Sequence, residues 1–343
     1  MKKLFRAILP LIVVLILFCL TACKREKTAE SIIKKKEIVK PNSIEKKTNF
    51  TTDTVDYNKR MLALSNADTT GRWPVKTTYP LKGALLPYNR IIAYYGNLYS
   101  KRMGILGELP KVEMLKKLQM EVTKWKAADT TLQTIPALHY IAITAQGAPG
   151  KDGKHRQRMP FKQIDTIISW AKPINALVFL DIQVGHSSVK DEVETLENYL
   201  GLPNVHLGID PEFSMKTGAI PGTKIGTFNA DDINDAIDIL SNIVKKNNLA
   251  PKVLIVHRFT RGMVTDYKRI KTIPEVQVVM NMDGFGDKIL KKSTYKDYIF
   301  KEPVQFTGFK LFYKNDTKKD PNGMFTPEEL LKLKPKPIYI QYQ

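Results

Sequence analysis

Cysteine is nearly missing from this 343-residue chain. Its two copies, Cys19 and Cys23, both lie close to the N-terminus. The body therefore has no disulfide framework, no Cys-based zinc site and no thiol nucleophile, and its stability must come from its core. Histidine is scarce too, with five copies and no HxH or HExxH pair. A His-rich catalytic metal site is not expected; the site residues are assigned no metal, and no cofactor is called for. No GxSxG elbow appears, which disfavours a serine hydrolase. No RNP, zinc-finger or helix-turn-helix pattern is present, so nucleic acid is not expected as a partner. Acidic residues are the minority charge, 34 against 54 Lys and Arg, for a net charge of +20. Such an excess suits a Lys-rich solvated surface, and it also attracts an anionic glycan or a membrane surface.

Long apolar runs are lacking as well. Ala7 to Leu20 is apolar apart from Cys19 and an interruption at Pro10, and follows the positive start Lys2, Lys3 and Arg6. It is short for a membrane span and right for a signal-peptide core. It closes on Leu20-Thr21-Ala22-Cys23, which resembles the lipobox of bacterial lipoproteins. That resemblance implies a signal peptide over residues 1–22, lipidation of Cys23, and life outside the cytoplasm on a bacterial membrane. Lys24 and Arg25 do not resemble the acidic tract that marks some surface-exported lipoproteins, which favours a periplasm-facing anchor. Residues 23–83 are rich in Lys, Thr and Asn without sustained periodicity, and are expected to be a tether. If flexible, about 50 residues of it span roughly 40 Å.

From residue 84 the chain alternates apolar strands with amphipathic helices. The strands are Arg90–Gly96, Ala137–Ala145, Ala176–Gln183, Val205–Glu212, Lys252–His257, Val276–Asp283, Thr307–Tyr313 and Pro337–Gln343. Helices are expected over Lys111–Ala128, over Pro160–Trp170, after the caps Ser188, Asn229 and Thr326, and around Val264–Ile270. The strands are apolar until their last residues, as strands covered on both faces must be. This predicts an α/β protein with one (β/α)8 TIM barrel over residues 84–343. An open doubly wound sheet is the alternative, but Gly96-Asn97-Leu98-Tyr99 after the first strand is no GxGxxG loop.

The pattern centres on Val205 to Glu212, where an apolar run ends in Asp210-Pro211-Glu212. In an extended strand the two acids share a face, roughly 7 Å apart at Cα, and Pro211 ends the ladder. Barrel enzymes carry their chemistry at the C-terminal strand ends. Those ends offer Tyr94, Tyr95 and Asn97, then Gln146, then Asp181 and Gln183, then Asp210 and Glu212, then His257 and Arg258, then Asn281 and Asp283, then Lys310 and Tyr313, and finally Gln341 and Gln343. The expected catalytic residues are Glu212, Asp210, Asp181 and Asp283. The others, apart from Tyr94 and the two glutamines of the last strand, are expected to bind substrate. Two chemistries suit such a mouth. Glu212 with a raised pKa can protonate a glycosidic oxygen while a second carboxylate assists. Alternatively, the acids and His257 can hold a divalent metal that activates water.

Two resemblances cover the body. Asp210-Pro211-Glu212, Met280-Asn281-Met282-Asp283 and the first strand IIAYYG resemble chitinase-like barrels of glycoside hydrolase family 18. That resemblance implies Glu212 as general acid, Asp210 as its orienting partner and Asp283 as a substrate-positioning group. The chain departs from that family at Val205 and Gly208, where Asp is expected, at Met282, where Tyr is expected, and in lacking Ser-x-Gly-Gly on the third strand. YYGN…GILGE, FLDIQVG, LGIDPEF, LIVHRF, MDGFG and PIYIQYQ also resemble an uncharacterised family of secreted or lipid-anchored bacterial proteins over residues 90–343. The expectation is a monomeric, lipid-anchored hydrolase of glycosidic bonds in a polysaccharide, an anionic one being compatible with the charge. A non-catalytic glycan-binding or envelope-assembly lipoprotein is the alternative.

Overall fold

The computed structural model describes residues 52–343. The signal segment, Cys23 and the first part of the expected tether lie outside the described residues.

Eight parallel strands close on themselves. They are β1 (Asn89–Gly96), β2 (Gln133–Ala145), β4 (Leu177–Ile182), β5 (Val205–Ile209), β6 (Lys252–Arg258), β7 (Val276–Met282), β8 (Phe306–Leu311) and β9 (Tyr339–Tyr342). Each pairs with the next, and β9 pairs with β1 to shut the ring. The short strand β3 (Arg156–Arg158) folds back antiparallel on the end of β2. The fold is a (β/α)8 barrel of the α/β class.

Alternation along the strands divides the apolar residues into two shells. Val276, Val278, Met280 and Met282 of β7 face the helices, as do Val205, Leu207 and Ile209 of β5. Ile91, Ala93, Phe179, Val253, Ile255 and Val279 fill the barrel itself. The outer helices follow their local signals. Helix α3 (Lys111–Ala128) buries Met114, Leu118, Val122 and Trp125 along one face. Helix α4 (Phe161–Ala171) does so with Ile164 and Ile167. Ser188 caps α5 (Val189–Glu194) through the Asp191 amide, and α6 (Glu197–Leu200) ends at Gly201. Asn229 and Asp232 form a reciprocal capping box at α7 (Ala230–Asn247). Thr326 and Glu329 do the same at α9 (Pro327–Leu330), with Pro327 opening the first turn.

The packed body begins well before residue 84. Asp53 caps α1 (Thr54–Ser65) by accepting from the Val55 and Asp56 amides. Tyr57, Met61 and Leu64 recur at helical spacing and join the same apolar cluster as Leu86, Val253, Val279 and Ile338. Helix α1 thus seals the N-terminal end of the barrel, and Trp73 is buried with its indole Nε1 donating to Phe300 O at 3.0 Å. Residues 54–83 therefore belong to the folded unit, not to a tether. The apolar positions were visible in the sequence, but the surface they cover exists only once the barrel has closed.

One other expectation changes. The helix expected around Val264–Ile270 is a single 3-10 turn, Tyr267–Arg269. After β7 the chain forms α8 (Lys288–Thr294), which runs into a π-helical stretch, Tyr295–Phe300.

Because Met61 is 5% exposed beneath the barrel, Met61→Ala is expected to cost about 2–5 kcal/mol, as buried Met→Ala changes do. Urea unfolding of the full chain measures it. A loss below about 0.5 kcal/mol, the usual size for a surface change, would mean that α1 is not part of the cooperative core.

Candidate active site

The last inward residue of each strand meets its neighbours at the C-terminal end of the barrel. There a cavity of about 620 Å³ opens, with Tyr95, Gln183, Asp210, Glu212, Asp283 and Lys310 in its wall. Six of the expected site residues thus converge. Phe213, Phe259, Phe285 and Phe312 give the same cavity flat apolar surfaces, and Arg102 reaches it from the loop after β1. Phe285 is 62% exposed.

Asp210 and Glu212 reach the cavity by a turn, not by strand alternation. β5 ends at Ile209, because Pro211 offers no amide to the ladder. Pro211–Phe213 forms a 3-10 turn capped by Asp210, whose Oδ1 accepts the Glu212 amide at 3.0 Å. Asp210 therefore orients the backbone that carries Glu212. Burial pushes the Asp210 carboxyl well above the usual carboxylate range, with the Glu212 and Asp283 charges adding to the shift against the opposing pull of His257. Half-buried Glu212 is pushed up to about 7 by burial and then by the nearby Asp283 charge, against the pull of Lys310 and His257.

Asp283 behaves in the opposite way. Burial works against its charge, yet Lys310 and His257 overcome that and lower its pKa. Lys310 Nζ lies 2.8 Å from Asp283 Oδ1, and 3.8 Å above the centre of the Tyr95 ring. His257 Nδ1 lies 2.9 Å from Asp283 Oδ2.

Beneath the wall, buried charges alternate in sign. Asp181 is fully buried, and Tyr95 donates its hydroxyl to Asp181 Oδ2 at 2.9 Å. Its Oδ1 faces His257 Nε2 at 3.3 Å and His139 Nε2 at 3.2 Å. Burial opposes the His257 charge, but Asp283 and Asp181 push its pKa up to about 10. Burial pulls His139 down to about 4, so its ring is neutral. Burial likewise works against the Asp181 charge, but the charged His257 and the close approach of both rings hold its pKa far below the carboxylate range. Gly208 makes this arrangement possible. A Cβ there would lie 2.4 Å from both Asp181 Oδ1 and His139 Nε2. Asn281 belongs to the same interior, with Nδ2 3.4 Å from His257 Nδ1, and is not in the cavity wall.

Four expected substrate contacts lie elsewhere. Asn97 spends its amide on the Ile141 carbonyl and the Tyr99 amide. Arg258 follows inward His257 and so points outward. There it donates to the carbonyls of Thr260, Arg261, Val264 and Tyr298 and pairs with Glu302. Tyr313 lies past the end of β8, bonded to the Tyr94 hydroxyl at 2.9 Å and to Glu121 at 3.2 Å in the helix layer. Gln146 follows the end of β2 at the β3 hairpin, its amide donating to His155 O, and is not in the cavity wall.

His139 and Tyr339 join the site without having been singled out in the sequence, and Gln341 of the last strand end meets them there. His139 Nδ1 lies 2.5 Å from Tyr339 Oη and 3.1 Å from Gln341 Nε2. The signal was the two-residue alternation Ala137, His139, Ile141, which puts the ring inside the barrel.

These shifts fix the pH dependence of stability. A His pKa raised from 6.5 to about 10 contributes stability that is complete below pH 6.5 and lost as pH rises through about 10. In metal-free buffer, unfolding free energy is expected to fall over that window, and the His257→Gln protein should lose that slope. An unchanged slope in the variant would place the titration elsewhere. Glu212, raised from 4.5 to about 7, weakens the fold over the lower window between those values.

No protein-family model matches the chain, and no curated protein does. Among solved structures it is similar to a sugar phosphate isomerase/epimerase from Parabacteroides distasonis, at 12% identity over 78% of this chain and 90% of that one, TM-score 0.33. It is similar to an endo-β-N-acetylglucosaminidase from Cordyceps militaris at 13% identity, 74% and 81% coverage, TM-score 0.34. It is also similar to the Bacillus subtilis mannanase BCman at 12% identity, 75% and 80% coverage, TM-score 0.34. Likeness at this level carries no argument about chemistry, which rests on the residues of the site.

Proposed function

We propose that the protein is a glycoside hydrolase that cleaves a polysaccharide outside the cytoplasm, held to a bacterial membrane through a lipid on Cys23. The observation that carries this reading is the divergence of two neighbouring carboxyls. Glu212 titrates at about 7 because it is buried and faces Asp283. Asp283 stays ionised between Lys310 and His257. One carboxylic acid and one carboxylate at the same mouth are the two partners that glycoside hydrolysis needs.

In this reading Glu212 donates its proton to the glycosidic oxygen as the bond to the anomeric carbon breaks. Asp283 stabilises the positive charge that develops on the sugar ring, and a water molecule then adds to the anomeric carbon and returns a proton to the Glu212 carboxylate. Asp210 holds the Glu212 backbone. Asp181, expected to be catalytic, lies one contact below the wall and acts through Tyr95 and His257. The Phe285 and Phe312 rings, packed edge to face with centroids 5.8 Å apart, suit the apolar face of a sugar. Lys310 and Arg102 make an anionic sugar a good partner.

A second reading has its own observation. Asp283 and Asp181 are both ion-paired within the protein. A non-catalytic glycan-binding or envelope-assembly lipoprotein would keep such a network for shape alone.

Neutral and anionic polysaccharides incubated with the full chain, with released reducing ends as the readout, separate the two. Glu212→Gln is expected to lower turnover by about 10²–10⁴-fold, the usual worth of a general acid, with glycan binding retained. Wild-type turnover should fall as pH rises through about 7, because the acid must carry its proton. Binding without release by either protein, across the panel and across pH, would favour the second reading.

A further inference from the structure

The interior of the barrel holds a cluster to which the hydrolase reading gives only an electrostatic task. His139 Nε2, Asp181 Oδ1 and His257 Nε2 all lie within 4.8 Å of one another. Both imidazole nitrogens aim at one carboxylate oxygen, at 3.2 and 3.3 Å. Bonds of about 2.0–2.2 Å to a tetrahedral ion separate ligand atoms by roughly 3.3–3.6 Å. One of the two separations lies at the short edge of that spacing and the other just below it. Among the described residues, His257 Nε2 is buried and forms no hydrogen bond of proper geometry.

The atoms on the far side of each ligand are held as well. His257 Nδ1 meets Asp283 Oδ2 at 2.9 Å, the carboxylate–histidine arrangement that fixes a metal-bound ring. Asp181 Oδ2 accepts from the Tyr95 hydroxyl. His139 Nδ1 faces Tyr339 Oη and the Gln341 amide. Gln341 Oε1 is buried without a hydrogen bond in its present orientation. With the amide turned and the ring proton on Nδ1, that oxygen accepts the proton and His139 Nε2 is free to ligate. Gly208 keeps the ligand atoms clear of any side chain from β5. Tyr95 and Asp283, which touch the cluster, also line the cavity above it and mark the way in.

We propose that His139, Asp181 and His257 bind one divalent transition-metal ion of the zinc type at the floor of the cavity. Two imidazoles and a carboxylate suit such an ion better than calcium or magnesium, which prefer oxygen. The site is independent of whether the cavity hydrolyses glycans. Its competitor is a proton, with His257 as an imidazolium bridging Asp181 and Asp283.

The full chain, stripped with a chelator and titrated with Zn²⁺ by calorimetry, tests the proposal. About one equivalent is expected, with a raised melting temperature, and X-ray absorption at the zinc edge should show two imidazoles and no sulfur. Asp181→Asn is expected to weaken binding by at least about 100-fold. Should that variant fail to fold, Gln341→Leu leaves the ligands in place but removes the acceptor of the His139 ring proton, and should weaken binding by about 10–100-fold, as loss of a supporting hydrogen bond does. His155 and His186, whose rings lie tilted beside the β3 hairpin with centroids 4.4 Å apart, are a second close imidazole pair. His186→Ala should leave binding unchanged. No binding by the wild type at millimolar zinc, a ligand set without two imidazoles, or loss of binding in His186→Ala would overturn the proposal.

Discussion

The structure depends on one chain of buried charges across the barrel: Asp181, His257, Asp283 and Lys310. An isolated charge in such a place would be neutralised or expelled. Here each has an opposite neighbour within 3.3 Å. The chain starts below the cavity and ends in its wall. It holds Asp283 ionised where burial alone would protonate it, and the Asp283 charge adds to the burial that pushes Glu212 up to about 7. The interior and the mouth therefore form one electrostatic unit.

Such a chain needs room and a closed floor. Room comes from glycine. Besides Gly208, a Cβ on Gly308 would lie 2.6 Å from Asn281 Oδ1 and 3.0 Å from the Tyr339 ring. These two positions let a ring of polar side chains occupy a space that aliphatic residues fill in many barrels. The floor comes from Phe179, Val253, Ile255 and Val279, with α1 packed beneath them. The apolar half excludes water from the polar half, which strengthens every ion pair above it.

Outside the barrel, cations that look functional in the sequence are structural. Arg258 ties the loops after β6 and β7 together through four carbonyls and Glu302. Lys291 is buried against Asp316 and the Lys310 carbonyl, supporting the end of β8 from the helix side. Lys291 also borders the cavity, whose wall carries Lys310 and Arg102 besides.

The sequence by itself determined the barrel. Apolar runs ending in polar residues, and caps at Ser188, Asn229 and Thr326, are local signals, and local physics obeys them. It also determined which strand ends are acidic, so Asp210, Glu212 and Asp283 were legible as a group. Only the tertiary structure decided which polar residues meet. Arg258 and Tyr313 lie on the outer side of the strands that carry His257 and Lys310, and strand parity near an irregular end is not fixed by composition. The meeting of His139 with Asp181 and His257 joins residues 42 and 118 positions apart, and the seat of α1 joins residues farther apart still. The contacts across the barrel and beneath it need the closed ring, and closure is a property of the whole ring, encoded in no single segment.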